Sequence, residues 1–531
     1  MAILEDEKAL LEQWIKSAEG KKMQQYFDLA QADDLKAILK NSPDPGTLLE
    51  MVYDLLSSEK RKLEGSFFTP RYVADFMVRN ALELYLSSHR SYAELCAVKI
   101  LDPACGAGEF LLSALDILLE KRRSFEPDVP INELTKSIIK NNLYGIDCNN
   151  NSLQLLLERL KALSGGEVDL EHFVNKDVLD YYPASSCFND NIKFDLVIGN
   201  PPYVSFGLRN VKKLQKDRAD ELKKRFVNSA EYKINIYALF MESALDSTAE
   251  NGVNSFIVPD SFLCGQYFGK IRNFLLEHSA FESIMFIRKK IFRAVPGSLV
   301  IYNICKSPIK ADHKFKSLIV EENAPFPGSG NGYLMKQSEF KNNFRQRFRL
   351  FFDPETHNFV RRIEEESVCK LGDLVTLASG LIARHGKNSI ISDVPRSDGD
   401  FRSGIISGRS VVAGKILYGD CKYINCDPSA IKSGLGKVDY SQKKLLIRQT
   451  GDRIISAVDD RGLLVLNNLH IATAKNPSLD LERLSAYLNS STMLKYYQSV
   501  TLEAHRAMAQ IDLETLRELP MPEDFSGLSG Q

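Results

Sequence analysis

The sequence has few of the features that mark secreted, membrane-bound or metal-binding proteins. Its nine cysteines are an odd number, no Cys-x-x-Cys pair occurs, and the close pair Cys421 and Cys426 has no histidine nearby. Neither a zinc site nor a disulfide framework is therefore expected. No apolar run approaches the roughly 18 residues that cross a bilayer, and the acidic, amphipathic N-terminus lacks the pattern of a signal peptide. We expect a cytoplasmic protein with no metal and no membrane partner.

An excess of charge of one sign is also lacking, because 68 Lys and Arg oppose 69 Asp and Glu for a formal net charge of −1. A nucleic-acid site would therefore depend on local clusters of charge. Three such clusters occur: nine basic against four acidic residues between Ser205 and Lys233, the group Arg288, Lys289, Lys290 and Arg293, and thirteen basic against seven acidic residues between Arg384 and Arg453.

The length of 531 residues predicts more than one domain. Residues 1–62 have helical periodicity and predict a short N-terminal helical segment. Residues 63–345 alternate helical stretches with short apolar strands, which predicts an α/β domain with a doubly wound, mostly parallel sheet. Residues 346–531 have short strands and many Gly and Asp turns, which predicts a separate β-rich domain.

Acidic residues follow several of the predicted strands. "ILDPACGAGEF" begins at residue 100 as a strand and turns on Gly106 and Gly108, where a ligand can approach the backbone. The third glycine of a dinucleotide fingerprint is lacking, so NAD binding is not favoured. Asp102, Asp147 and Asp177 lie at three consecutive strand ends, and a carboxylate there can accept both hydroxyls of a ribose. The pattern predicts a nucleoside site.

The strand "FDLVIG" ends at "NPPY", residues 200–203. Two prolines end a strand because neither can donate to the ladder. The order "DPACGAGEFL", "GIDCNN", "KDVLDYY", "NPPY", with "GSFFTPRYVADFMV" upstream, resembles the motifs of S-adenosylmethionine-dependent DNA adenine-N6 methyltransferases of the gamma class, the Taq type of restriction-modification systems. The resemblance implies a Rossmann-like methyltransferase domain and a C-terminal target-recognition domain. It assigns cofactor binding to Thr69, Pro70, Asp102, Ala104, Gly106, Asp147, Asp177, Asn200, Pro202 and Phe240.

The resemblance also implies a catalytic role for the NPPY turn. The side-chain carbonyl of Asn200 and the backbone carbonyl of Pro201 would accept hydrogen bonds from the amino group of adenine and concentrate its lone pair. Tyr203 would stack on the target base, which must leave the duplex to be reached. Phe292 matches by position the phenylalanine that holds the flipped base in the family, although a core aromatic remains an alternative.

Other functions remain open at this stage. Protein-glutamine and RNA-guanine methyltransferases use the same NPPY site, and a non-catalytic DNA-specificity protein is a third alternative. Cytosine-ring methylation would need a cysteine nucleophile, but Cys105 is expected to be a small buried residue. Double-stranded DNA is the expected partner, with a separate cognate restriction endonuclease possible in addition. Arg448, Gln449 and Arg453 are candidate readers of base edges by residue type alone.

Overall fold

The computed structural model describes residues 69–88, 91–188, 192–206, 216–292, 295, 297–328, 330–504 and 509–525. The helical segment predicted for residues 1–62 lies outside the described residues. The chain divides into two compact units, Met1–Phe348 and Arg349–Gln531. This division lies three residues beyond the boundary that the sequence predicts after residue 345.

The described part of the first unit contains a nine-stranded sheet and a separate two-stranded ribbon. Its strands in chain order are β1 (Ile100–Asp102), β2 (Leu143–Asp147), β3 (Phe173–Asn175), β4 (Phe194–Gly199), β5 (Ser205–Phe206), β6 (Ile234–Asn235), β7 (Thr248–Pro259), β8 (Ala280–Ile287), β9 (Leu299–Cys305), β10 (Lys314–Val320) and β11 (Tyr333–Lys336). Strands β5 and β6 form the ribbon.

The sheet has the order β11-β10-β8-β9-β7-β4-β1-β2-β3. Its half from β3 to β7 is entirely parallel, as the alternation of strands and helices predicts. Strand β9 is inserted antiparallel between β7 and β8, so the sheet as a whole is mixed. The carboxyl ends of the parallel strands therefore meet at one edge of the sheet, where ligands of such folds bind.

In the described part of the first unit the helices are α1 (Arg71–Ser88), α2 (Tyr92–Ala97), α3 (Glu109–Arg123), α4 (Ile131–Asn142), α5 (Asn150–Leu163), α6 (Lys216–Arg225), α7 (Ile236–Ser247), α8 (Ser261–Cys264) and α9 (Gly269–His278). They cover both faces of the sheet, because the consecutive residues Leu196, Val197 and Ile198 of β4 are all 0% exposed. Helices α1 and α3 contact each other on one face, and their apolar side chains share a core with Leu196 and Ile198.

The second unit is β-rich, as predicted. One four-stranded sheet has the order Val375–Ser379, Leu469–Ala474, Lys444–Arg448, Ser456–Asp459, and another has the order Ile391–Ser392, Lys422–Asn425, Phe401–Ile405, Leu464–Val465. Its two-stranded ribbons pair Cys369–Lys370 with Pro520–Met521, Ile382–Ala383 with Ile431–Ser433, and Val411–Val412 with Lys415–Ile416. Its helices are Pro354–Glu365, Leu371–Leu374, Leu481–Leu488, Ser491–Thr501 and Leu513–Arg517.

The described residues contain no helix with both the length and the apolar character needed to span a membrane. Within the same residues, no group of three or more His, Cys, Asp or Glu side chains is arranged to hold a metal ion.

Candidate active site

The turn between β1 and α3 forms one wall of the candidate site. Gly106 and Gly108 adopt positive φ angles of +52° and +93°, a region that side chains with a Cβ rarely enter. A Cβ on Gly108 would lie 2.2 Å from Cδ1 of Leu156 in α5. The second glycine is thus required both by the backbone conformation and by the close packing of α5, which sets the position of the turn.

The side chain of Asp147 joins this turn to the end of β2. Its Oδ2 atom accepts a hydrogen bond from the backbone N–H of Gly106 (2.8 Å), and its Oδ1 atom accepts one from the N–H of Asn149 (2.7 Å). Asn149 is also the N-cap residue of α5. Two backbone donors therefore hold the carboxylate at the sheet edge.

Asp102 is buried at the end of β1, where it is 1% exposed. Its Oδ1 atom accepts the N–H of Ala104 (3.0 Å), and a Cβ on Gly199 would lie 2.7 Å from the same oxygen. The pKa of Asp102 is raised to about 8, mainly by burial; the N–H of Ala104 opposes this shift, and the nearby charge of Asp147 adds to it. The carboxyl group is therefore neutral at neutral pH.

The raised pKa of Asp102 predicts a stability that depends on pH. The unfolded chain loses this proton near pH 4, whereas the folded protein keeps it to about pH 8. The stability that the group contributes is therefore present at low pH and is lost as the pH rises from 4 to 8. Asn has the same shape without a titrating proton. We therefore compare the free energies of unfolding of Asp102→Asn and wild type in thermal melts without cofactor. The difference in favour of the variant is expected to grow as the pH rises from 4 to 8, by at most about 1.4 kcal/mol per pH unit.

The control for this prediction is Asp128→Asn, which neutralises an exposed carboxylate in the same unit. Its melting temperature relative to wild type is expected to change little between pH 5.5 and 8. A difference between Asp102→Asn and wild type that is equal at both pH values would contradict the assigned protonation.

Asp177 lies just beyond β3 and is exposed. Its Oδ1 atom accepts the N–H of Leu179 (2.9 Å) and so caps the short turn that follows. The guanidinium of Arg218 in α6 lies 4.0 Å from Oδ2 of Asp177 and donates to Oδ1 of Asp180 at 2.6 Å. Arg218 also pairs with Glu221 at 2.8 Å. Helix α6 is thus attached to the segment that carries Asp177.

Asn200 follows the last residue of β4 and contacts a residue far away in the sequence. Its Nδ2 atom donates to Oγ1 of Thr69 over 3.2 Å, and Thr69 is only 5% exposed. Thr69 and Pro70 precede α1. In the first turn of this helix, the backbone N–H of Val73 donates to the carbonyl of Pro70 (2.9 Å). The contact turns the amide nitrogen of Asn200 toward Thr69 and therefore turns the carbonyl oxygen to the opposite side.

Tyr203 is half-buried, and its hydroxyl donates to the carbonyl of Ile257 in β7 (3.1 Å). Its ring lies edge-on to Phe292, with centroids 6.3 Å apart and planes at 65°. Phe292 is 3% exposed and belongs to the hydrophobic core. The structure therefore brings the two predicted base-binding rings together, but it packs them against each other without a parallel gap.

A cavity of about 560 Å³ opens between these elements, a volume typical of small-molecule sites. Most residues that the sequence predicts for the cofactor line it: Thr69, Asp102, Ala104, Gly106, Asp147, Asp177, Asn200, Pro202 and Phe240. Four other predicted site residues are not among its lining residues: Pro70, Pro201, Tyr203 and Phe292. Each of the four is a chain neighbour of a lining residue or, for Phe292, a ring contact of Tyr203.

Sequence reasoning missed several residues of the cavity wall. Cys148, Asn149 and Lys176 line it directly beside predicted residues, so the motif "GIDCNN" contains more of the wall than Asp147 alone. The ammonium of Lys176 donates to the carbonyl of Cys187 (2.6 Å). Glu109 also lines the cavity and pairs with Arg159 (2.7 Å). No charge pattern in the sequence identifies that last pair, because 50 residues separate its members.

The basic clusters are less uniform in the structure than in the sequence. Arg209, Lys212, Lys213 and Arg293 lie outside the described residues. Within α6, Arg218 and Arg225 both bind Glu221, and Arg225 also donates to the carbonyl of Leu179. Lys223 and Lys224 of the same helix are exposed. The charge that this helix presents to solvent is therefore carried by its lysines more than by its arginines.

Two protein-family models match the chain. The model of the Eco57I restriction-modification methylase matches residues 128–292, and that of the TaqI-like C-terminal specificity domain matches residues 403–521. The order of the two domains agrees with the Taq-type resemblance predicted from the motifs.

Curated relatives include two type II methyltransferases. M.BstVI of Geobacillus stearothermophilus is 25% identical over 241 residues, which cover 44% of this chain and 40% of the relative. M.BanIII of Aneurinibacillus aneurinilyticus is 23% identical over 359 residues, which cover 61% of this chain and 57% of the relative. The matched part thus spans about half the length of these relatives.

Solved structures similar to this chain include two that were determined with DNA or a DNA mimic. A nuclease-deletion mutant of the Type ISP enzyme LlaGI, solved with a DNA substrate mimic, has a TM-score of 0.60 at 14% identity and covers 94% of this chain and 50% of its own. The DrdV–DNA complex has a TM-score of 0.56 at 14% identity, and the match covers 87% of this chain and 55% of the DrdV chain. At such low identity the similarity concerns the fold, and it agrees with the predicted methyltransferase sheet followed by a β-rich domain.

Proposed function

From the premise that this chain carries an Eco57I-type restriction-modification methylase domain and a TaqI-like C-terminal specificity domain, we propose that it is a sequence-specific DNA adenine methyltransferase. It transfers the methyl group of S-adenosylmethionine to the 6-amino group of an adenine in duplex DNA. The modification protects the site from a cognate restriction endonuclease, which is a separate partner.

One observation carries this proposal: Asn200 and Pro202 of the NPPY turn line the same cavity as Asp102, Asp147 and Asp177. The amino nitrogen of adenine is a poor nucleophile because its lone pair is delocalised into the ring. The carbonyl oxygens of Asn200 and Pro201 are acceptors for its two hydrogens, and accepting both concentrates the lone pair on nitrogen. The prolines restrict the backbone, so the two acceptors are positioned before the base arrives.

The residues of the cavity fit a nucleoside cofactor with a charged amino-acid tail. The carboxylate of Asp147, oriented by the N–H groups of Gly106 and Asn149, lies where a ribose diol would donate. Asp102 and the glycine turn would hold the methionine part, and Asp177 and Phe240 the adenine part. The cofactor supplies a methyl group already activated on a sulfonium. This chain's own residues bind and orient it and position the acceptors for the amino group.

The environment of Cys105 supports amino-group methylation over methylation of a cytosine ring. The ring reaction needs a thiolate nucleophile. Cys105 is 5% exposed, and burial, with added repulsion from Asp147 and Asp102, raises the pKa of its thiol well above the ordinary value. This thiol therefore stays protonated and packs in the core beside the site.

Access of the base to the turn requires two changes. The adenine must leave the duplex stack, which costs a few kcal/mol. Phe292 must also move away from the Tyr203 ring, because planes at 65° with centroids 6.3 Å apart leave no room for a base between them. Stacking on Tyr203 then returns ~1–3 kcal/mol.

The proposal is tested by incubating the protein with labelled S-adenosylmethionine and one of three acceptors: a PCR copy of the genome of the source organism, total RNA, or a release-factor protein. We expect label on the DNA copy, recovered as N6-methyladenine after digestion to nucleosides. Native genomic DNA from the same organism should accept little label, since its sites are already modified. Label on RNA or protein but not on DNA, or recovery of a methylcytosine, would refute the proposal.

A further inference from the structure

A pair of tyrosines, the exposed Tyr232 and the half-buried Tyr267, lies on the first unit outside the cavity. Tyr232 is 82% exposed, and its ring lies 5.9 Å from the ring of Tyr267, with planes at 34°. Single exposed aromatics are common on protein surfaces. Two tyrosine rings in contact form a small aromatic patch, and clustered apolar residues mark interaction sites more often than scattered residues do.

Positive charge accompanies this pair. The ammonium of Lys233 lies 5.0 Å from the centroid of the Tyr267 ring. Lys270 is exposed and donates to the carbonyl of Val227 (3.1 Å). The acidic residue of this stretch, Glu231, accepts the backbone N–H of Lys270 (2.9 Å). Aromatic rings with lysines fit a ligand that has flat bases and phosphates.

The ring of Tyr267 is presented by a rigid turn. Arg272 of α9 is 0% exposed and donates to the carbonyls of Phe262 (2.9 Å) and Gly265 (3.0 Å). A Cβ on Gly265 would lie 2.3 Å from the carbonyl of Ser261, so the chain is closely packed there. Arg272 thus ties the backbone just before Tyr267 to α9, and a ring held in place lowers the entropy cost of binding.

The chain connects this surface directly to the NPPY turn. Strand β5 begins two residues after Tyr203 and pairs with β6, with Phe206 opposite Ile234. Lys233 and Tyr232 immediately precede β6. Tyr237, just after β6, packs edge-on to Tyr203 at 6.2 Å. The pairing of β5 with β6 therefore brings Tyr232 and Lys233 near the proposed base-binding turn, although they are distant from it in the sequence.

On the other side of the pair, Tyr267 is the chain neighbour of Phe268, whose ring stacks on Tyr237 at 5.2 Å with planes at 21°. Phe268, Tyr237 and Tyr203 thus form a continuous series of ring contacts. Tyr267 is thus joined through its chain neighbour to the aromatic series that reaches the NPPY turn, and Tyr232 contacts the ring of Tyr267.

We propose that Tyr232, Tyr267 and Lys233 form a DNA-contact surface that stacks a nucleotide next to the target adenine while Lys233 binds its phosphate. The inference rests on the proposed function and adds a second contact to it. Removing an adenine from the stack leaves its neighbours partly unstacked. An aromatic surface accepts any base, because every base has a π face. The contact therefore contributes affinity without reading sequence.

The test compares steady-state methylation of the PCR-copied genome by wild type, Tyr232→Ala, Tyr232→Phe and Lys233→Gln. We expect Tyr232→Ala to raise the KM for DNA about 10-fold and to leave cofactor affinity unchanged, because the residue lies outside the cavity. Tyr232→Phe keeps the ring and should stay within about twofold of wild type. For Lys233→Gln, the slope of the logarithm of the DNA-binding constant against the logarithm of the salt concentration should become shallower by about one, because one phosphate contact is lost.

Phe125→Ala is the matched control, since Phe125 is a 62% exposed aromatic that contacts Tyr92 at 4.8 Å in another part of the unit. Its KM for DNA should equal that of wild type. An equal loss in Phe125→Ala, an equal loss in Tyr232→Phe, or an unchanged KM in Tyr232→Ala would overturn the inference. So would a change of oligomeric state on sedimentation of Tyr232→Ala, which would assign the patch to a second copy of the chain. A wild-type protein that methylates no DNA would instead refute the proposed function.

Discussion

Asn200→Ala is expected to lower kcat by ~10²–10³-fold while leaving cofactor affinity nearly unchanged. The reason lies in the two atoms of the amide. Nδ2 donates to Thr69 over 3.2 Å, and Oδ1 is the acceptor that the amino group of adenine needs. Alanine removes that acceptor at the reacting centre but leaves the carboxylates and the glycine turn of the cofactor cavity in place. Single-turnover methylation and cofactor titration measure the two quantities separately.

The variant Thr69→Val tests the orientation of the Asn200 amide separately from its role as a hydrogen-bond acceptor. The valine keeps the shape of threonine and removes the oxygen to which Nδ2 donates, so Asn200 keeps its carbonyl but loses the contact that orients it. We expect a smaller loss of kcat, about 10-fold. Near-normal turnover in Asn200→Ala, or a loss in Thr69→Val as large as that in Asn200→Ala, would show that the amide does not act as proposed.

Gly108→Ala is expected to have the largest effect on folding and on cofactor binding together. A Cβ at this position costs about 1–2 kcal/mol for the left-handed backbone conformation and about 1–3 kcal/mol for the contact with Leu156, which would be 2.2 Å away. The turn between β1 and α3 must shift to relieve the contact. We therefore expect a free energy of unfolding lower by about 2–5 kcal/mol and a cofactor affinity reduced by more than about 10-fold.

Two variants make this result specific. Gly330→Ala is the control, because a Cβ at Gly330 has nothing within 4 Å and its backbone carries no positive φ; its stability and cofactor affinity should match those of wild type. In the double variant Gly108→Ala/Leu156→Ala the contact is removed, so the loss should be smaller than the sum of the two single losses. Strict additivity in denaturant melts would show that the glycine is needed for its backbone conformation alone.

Much of the fold and of the site follows from local patterns in the sequence. The alternation of apolar strands with amphipathic helices predicts the parallel half of the sheet, since successive βα units bury one strand after another. Carboxyl ends of parallel strands share an edge, so Asp102, Asp147, Asp177 and Asn200 were expected to meet, and all four line one cavity. The turn on Gly106 and Gly108 was also expected, and both glycines line that cavity.

The antiparallel insertion of β9 between β7 and β8 could not be predicted in this way. Buried central strands of either direction have the same apolar composition, so the pattern of residues does not distinguish them. The packing of Phe292 against Tyr203 is a second example, because the position of an aromatic in a sequence does not tell which ring it contacts.

Charge is the property for which sequence and structure differ most. Nine basic residues between Ser205 and Lys233 predict a basic face, yet Arg218 and Arg225 bind carboxylates of their own unit. The raised pKa of Asp102 is likewise invisible in the sequence, because it depends on how completely the surrounding chain excludes water.

Most of the chemical groups that line the cavity were thus readable from short motifs, because each motif forms its strand end or turn locally. The orientation of those groups came from contacts between distant residues. Thr69 and Asn200 are 131 positions apart, and Asp147 reaches the glycine turn across 41. Local conformation needs only neighbouring residues, whereas protonation, amide orientation and the pairing of charges depend on which distant side chains the packed sheet brings within hydrogen-bond distance.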